Sequence, residues 1–192
     1  MRAETESTKI NLQTEMLLAL VCGLAYFYAF RLNQYWFDWI EFSHGTNWIF
    51  IPSGLRLLFV LVLARTGAIG IALSSIAISY NLGNPDTHVF NIVTGLISGG
   101  APYLACHVCL TWLNLDSHLA NLNPRTFLRV SIVFAMFNGV IHQLWFFWNG
   151  QTPNFIASTL AMTVGDWFGT VLVLASASFA IKVYRLKPKL DL

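Results

Sequence analysis

NWIFIPSGLRLLFVLVLA, residues 47–64, is apolar enough to enter a bilayer, yet it holds Pro52, Gly54 and Arg56. An arginine in hydrocarbon costs about 2.5–3.5 kcal/mol on insertion scales. A proline removes a backbone donor, and the opened turn must find partners elsewhere. Such residues persist at membrane depth only where another helix, a cavity or water compensates them. The rest of the chain is expected to supply that compensation.

The composition defines the setting. Of 192 residues, 56% are hydrophobic and 10% charged, against about 25% charged in an ordinary soluble domain. Six apolar segments recur at about 16–32, 48–64, 68–82, 90–113, 125–148 and 155–184, close to the lengths a bilayer requires. The expected fold is an all-α, polytopic six-transmembrane-helix bundle over 16–184, with a short segment 1–15 before it and a basic tail 185–192. The pieces outside the bundle are too short for a nucleotide-binding, kinase or nuclease module. The net charge of +2 gives no nucleic-acid signal, because the basic residues sit at helix ends. No cleavage site follows the first apolar run, so a retained helix is expected there rather than a signal peptide.

Charge asymmetry predicts the topology. Arg2, Lys9, Arg65, Arg125, Arg129, Lys182, Arg185, Lys187 and Lys189 fall on one side of a six-span chain. The other side holds Arg31 with Asp38, Glu41 and Asp86. By the positive-inside rule both termini are expected to be cytoplasmic, in a multi-pass protein of a bacterial inner membrane. Residues 33–47 are rich in aromatics and read either as an interfacial amphipathic helix or as an extended continuation of the first helix. Arg65-Thr66-Gly67 and Gly83-Asn84-Pro85-Asp86 read as turns. A kink is expected near Pro102.

Polar residues inside apolar segments are the candidate functional residues. Arg56 lies eight residues beyond Trp48, and Asp166 lies eleven beyond Phe155. Both segments run inward, so the two depths differ by only about 4–5 Å at 1.5 Å per residue. This predicts a salt bridge, which would either line a ligand pocket or simply hold the bundle in register. Asn138 and His142 share a helical face at i, i+4, and His107 is a further candidate for a ligand contact or an interhelical hydrogen bond. Gly95-xxx-Gly99 and Gly165-xxx-Gly169 allow close helix packing, the second bracketing Asp166. Cys106 and Cys109 share a helical face while His107 points about 100° away. Two thiols without further ligands make a poor zinc site, so packed cysteines are expected and no metal site is assigned. One intramembrane acid and no nucleophile–base pair argue against an enzyme.

The order of features resembles the MASE1 domain, an integral membrane sensory module. The resemblance rests on a Trp-containing start, Pro52-Ser53-Gly54, an apolar run ending in a basic turn before a small-residue helix, and Gly165-Asp166-Trp167-Phe168-Gly169 in the last segment. It implies a sensor-like or accessory subunit for signal transduction, one that carries no output domain of its own and acts through helix contacts with a separate protein partner. Two other readings stay open. One is a small-solute binding or transport component, with Arg56, Asp166, His107 and His142 lining a pocket for a small-molecule ligand. The other is a structural or cofactor-holding subunit of a larger complex, whose cofactor the residues do not name. Every reading has the lipid bilayer as a partner and excludes nucleic acid.

Overall fold

The computed structural model describes residues 11–43, 45–81, 88–112 and 124–186. Residues 1–10, His44, residues 82–87 with the turn at Gly83-Asn84-Pro85-Asp86, the connection 113–123 and the tail from 187 lie outside the described residues. Helix α1 spans Leu12–Phe37, followed by a 3-10 turn at Asp38–Ile40 and a two-stranded hairpin, β1 Glu41–Ser43 and β2 Thr46–Asn47. Then come α2 Pro52–Leu63, α3 Arg65–Asn81, α4 His88–Trp112, α5 Pro124–Trp148 and α6 Phe155–Leu186. Four stretches are long and apolar enough to cross a membrane: Leu12–Ile40, His88–Trp112, Arg125–Trp148 and Phe155–Ser176. Their exteriors are apolar as well, with Leu17, Leu20 and Leu24 of α1 and Leu160 and Leu172 of α6 exposed. These helices mark the chain as a membrane protein.

The opening stretch does not form one helix from 48 to 64. Pro52 occupies the first turn of α2, the one helical position where a missing N–H costs nothing. The proline therefore begins the helix rather than breaking it. At 12 residues, α2 is about 18 Å long, short of a hydrocarbon core of about 30 Å. The four non-helical residues before it can add up to about 13 Å. Irregular backbone at membrane depth needs protein partners for its polar groups, and this segment has them although Trp48 is exposed and Ile49, Phe50 and Ile51 are only half-buried. The Phe50 N–H donates to the Gly165 carbonyl at 3.2 Å. The Asn33 side chain accepts from the Ile51 N–H at 2.9 Å and donates to the Ile49 carbonyl at 3.2 Å.

Gly165 and Gly169 make this arrangement possible. A Cβ on Gly165 would collide with the Asn47 carbonyl, and one on Gly169 with the Phe50 carbonyl. The motif thus seats a non-helical strand of backbone rather than another helix. Gly95 and Gly99 behave as expected and bring α4 onto α3 at Ala68, Ala72 and Ile76. The Arg65-Thr66-Gly67 triplet is not a turn. It opens α3, and the reversal is made at Ala64, whose φ is +46°. Helix α4 continues through Pro102 to Trp112.

Residues 33–47 form no interfacial helix. Helix α1 continues to Phe37, so the extended-helix reading holds only that far. Beyond it the chain tightens into the 3-10 turn, where Trp39 Nε1 donates to the Trp36 carbonyl at 2.9 Å. It then reverses at Gly45, whose φ of +69° is a region glycine adopts freely. Strands β1 and β2 pair antiparallel, Glu41 with Asn47 and Ser43 with Thr46.

Helix α3 packs between α1 and α4, and α5 between α4 and α6, while α2 lies within the bundle against α6, α3, α4 and α1. Helix α1 is the outermost: 11% of its most apolar stretch is buried, against 50% for α4 and α5. Deeper in the bundle, the core is an apolar cluster of Leu57, Ala105, Cys109, Val130 and Phe134. Cys106 packs with Tyr26, Val60, Ile71 and Ile78. Both thiols are packed, as expected.

Candidate functional site: a buried polar cluster beneath the hairpin

The hairpin lies at one end of the bundle, where α1, α3 and α5 finish and α2, α4 and α6 begin. Most of the buried polar side chains gather there. Arg56, one turn into α2, is 5% exposed. Its Nε and Nη2 both donate to the Tyr26 hydroxyl, at 2.9 and 2.5 Å. Its guanidinium carbon stands 5.2 Å from the Tyr26 ring centre and 5.1 Å from that of Phe50, within range of cation–π attraction. The third nitrogen, Nη1, is buried without a hydrogen-bond partner.

The predicted Arg56–Asp166 salt bridge does not form. Among the described residues the ion pair within 4 Å is Arg65 with Glu15, at 3.4 Å near the opposite end of the bundle. Asp166, 1% exposed, instead accepts a short hydrogen bond from Asn138 Nδ2. Its backbone carbonyl accepts from Ser53 Oγ at 2.5 Å, and that hydroxyl also meets Thr170 Oγ1 at 3.2 Å. The depth comparison put the two charges at similar levels, but depth leaves rotation about the helix axis undetermined. Each charge found a neutral partner on a different helix. The charge of Arg56 still acts on Asp166 and on His142 through space.

Asn138 and His142 share a face as their spacing requires. The Asn138 carbonyl can only accept, so His142 Nδ1, 2.9 Å from it, carries a proton. Nε2 lies 3.1 Å from Ser98 Oγ on α4. Arg56, Asp166, Asn138 and His142 therefore belong to one buried cluster. His107 does not: it is exposed on α4, five residues before Trp112 and far from the hairpin end.

A cavity of about 80 Å³ lies against this cluster. Its polar lining comes from Arg56, Ser75, Ser79, Thr94, Ser98 and His142, and aromatic walls include Tyr26, Phe50 and Phe146. Gly45 of the hairpin closes one side, next to the Phe146 ring. Gln143 holds this cover in place: its Nε2 donates to Thr46 Oγ1 at 2.7 Å, and its Oε1 accepts from Thr152 at 2.8 Å.

Sequence reasoning missed Tyr26, Asn33, Ser53, Ser75 and Ser98. In the sequence Tyr26 stands beside Phe27, Tyr28 and Phe30, aromatics that suit an interfacial belt. The available signal was its spacing from Cys22 and Asn33, four and seven residues away, which puts all three on one helical face. These are the buried residues of α1. Among the described residues no group of three or more His, Cys, Asp and Glu side chains is placed to hold a metal ion. No family model matches this chain, and no curated protein or solved structure is similar to it.

Proposed function

We propose that the chain is a sensor-like membrane module that crosses the bilayer six times, keeps both termini in the cytoplasm and carries a small-solute site at its outer end. The observation that carries this reading is the cavity beneath the hairpin, where an arginine is buried with one nitrogen unpartnered. Arginine in hydrocarbon is expensive, and a ligand in the cavity would offset part of that cost. The charge pattern supports the orientation. Arg65, Arg125 and Arg129 lie at the end opposite the hairpin, all exposed, and by the positive-inside rule that end faces the cytoplasm of a bacterial inner membrane. The MASE1-like order of features supports a sensory role, with a separate protein receiving the signal through helix contacts.

Mild-detergent purification, with identification of proteins held in stoichiometric amount, tests the role. A signalling or enzymatic membrane partner is expected. A nucleotide-driven coupling module would favour a transport component instead. The orientation is tested by single cysteines in a background with Cys22, Cys106 and Cys109 replaced. An impermeant maleimide added from outside should label Gln151→Cys and spare Arg125→Cys.

A further inference from the structure

We infer that the cavity beneath the hairpin is a binding site for a small monovalent anion of at most about four non-hydrogen atoms, in the class of formate, nitrate or a halide. This inference rests on the solute-site reading above and names its ligand by chemistry.

Size sets the first limit. A water molecule's share of liquid volume is about 30 Å³, so a cavity of about 80 Å³ holds two or three such volumes, less than a vitamin, a sugar or an amino acid fills. Charge sets the second. Among the described residues the cavity wall carries one permanent cation, Arg56, and no Asp or Glu. Asp166 is close enough to feel Arg56, but its carboxylate is engaged by Asn138 and it is not part of the wall.

Unused donors set the third limit. Arg56 Nη1 and Ser75 Oγ are both buried, both belong to residues of the wall and both lack hydrogen-bond partners. Leaving such groups unsatisfied costs about 1–3 kcal/mol each, more for a charged one. They sit on different helices, α2 and α3, and both are closed to a water-sized molecule, so an anion in the cavity meets them only once these side chains turn towards it. Guanidinium suits an oxyanion because its planar donors match two oxygens at once. Aromatic walls lower the local dielectric and strengthen the attraction.

The adjoining surface cleft of about 150 Å³ shares Phe30, Gly45 and Phe50 with the cavity but carries Asp38 and Glu41. These acids are solvated, and Glu41 is occupied by the Gly45 N–H at 2.7 Å. They slow an approaching anion more than they destabilise a bound one, since water and salt screen them.

The test is thermal unfolding of the full chain in detergent, titrated at constant ionic strength with sodium formate or sodium nitrate. Sodium gluconate serves as an anion too large for the cavity, and formamide as a neutral molecule of formate's size. Formate and nitrate should raise the unfolding midpoint saturably, and gluconate and formamide should not. Ser75→Ala, which removes no hydrogen bond used by the fold, should weaken formate binding about tenfold, the loss of one charge-assisted hydrogen bond. Arg56→Gln should abolish it; if that variant does not fold, Ser75→Ala decides alone. Equal responses to all salts, or unchanged formate affinity in Ser75→Ala, would overturn the inference and leave the cavity to water. Stabilisation by formamide as strong as by formate would overturn the anion while keeping a solute site. Neither result touches partner co-purification, which tests the sensory role by itself.

Discussion

The two ends of this bundle are held together by different physics. At the hairpin end Asn33, Thr46, Ser53, Arg56, Ser98, Asn138, His142, Gln143 and Asp166 are all buried and tied by side-chain hydrogen bonds between elements. From the level below Arg56 towards the far end the core is Leu57, Ala105, Cys109, Val130 and Phe134, with no ionisable group but the thiol. Lipid is as apolar as leucine, so burying apolar surface inside a bilayer gives little drive for helix association. The far end must therefore rely on shape, whereas the hairpin end uses directional bonds that also determine where each helix faces. A binding site belongs in the second kind of region, because only there are polar groups held at fixed positions and kept dry.

This contrast can be broken by mutation, and the largest effect is expected where the two kinds of packing meet. Gly169→Val would drive a side chain into the Phe50 carbonyl and push the non-helical segment off α6. A cost of about 3 kcal/mol or more is expected, read as loss of a monodisperse peak in mild detergent. Gly100→Ala is the matched control, since nothing lies within 4 Å of its added methyl, and it should fold as well as the parent.

Next come the two buried charges. Asp166→Leu strands Asn138 and should cost about 3 kcal/mol in a reversible unfolding assay. Exchanging the charges, Arg56→Asp with Asp166→Arg, should give no rescue, because each charge is held by its own neutral partner, Tyr26 or Asn138. A double exchange that restores parental stability would mean that the two meet directly after all.

At the far end Phe134→Ala should cost about 2 kcal/mol, the cavity contribution without the transfer contribution that water would add. Gln143→Leu should cost about 1–2 kcal/mol, and its signature is local. It frees Thr46 and Thr152, so limited proteolysis should cut the hairpin faster while the helices stay protected. The smallest effect belongs to the exposed pair at the far end. Arg65→Ala loses a 3.4 Å contact with Glu15, its own side chain 73% exposed, and should change stability by less than about 0.5 kcal/mol.

How much of this was legible in sequence differs between the same two regions. The helical segments were readable from apolar runs, and their boundaries in α4, α5 and α6 fall within about two residues of those expected. Gly95-xxx-Gly99 also did what its spacing suggested. Asn138 and His142 were recognisable because i, i+4 spacing on one helix is a local property. The Arg56 partner was not legible, because pairing between helices depends on rotation, which a depth argument leaves open. The hairpin was hidden for a similar reason. Its alternating aromatics fit a helix and a strand about equally well, and the choice was made by Gly45 and by Gln143, almost a hundred residues away.

Sequence alone determined that this is a helical membrane chain with an arginine and an aspartate that must be compensated at depth, since the cost of a charge in hydrocarbon depends on no particular fold. Tertiary structure decided how they are compensated. Pro52 starts a helix instead of breaking one because Asn33 and Gly165 satisfy the backbone before it. Arg56 turns to Tyr26 rather than Asp166 because the hydroxyl is what α1 presents at its level. Hydrogen bonds act over about 3 Å, so which donor meets which acceptor is settled only once the helices have taken their places.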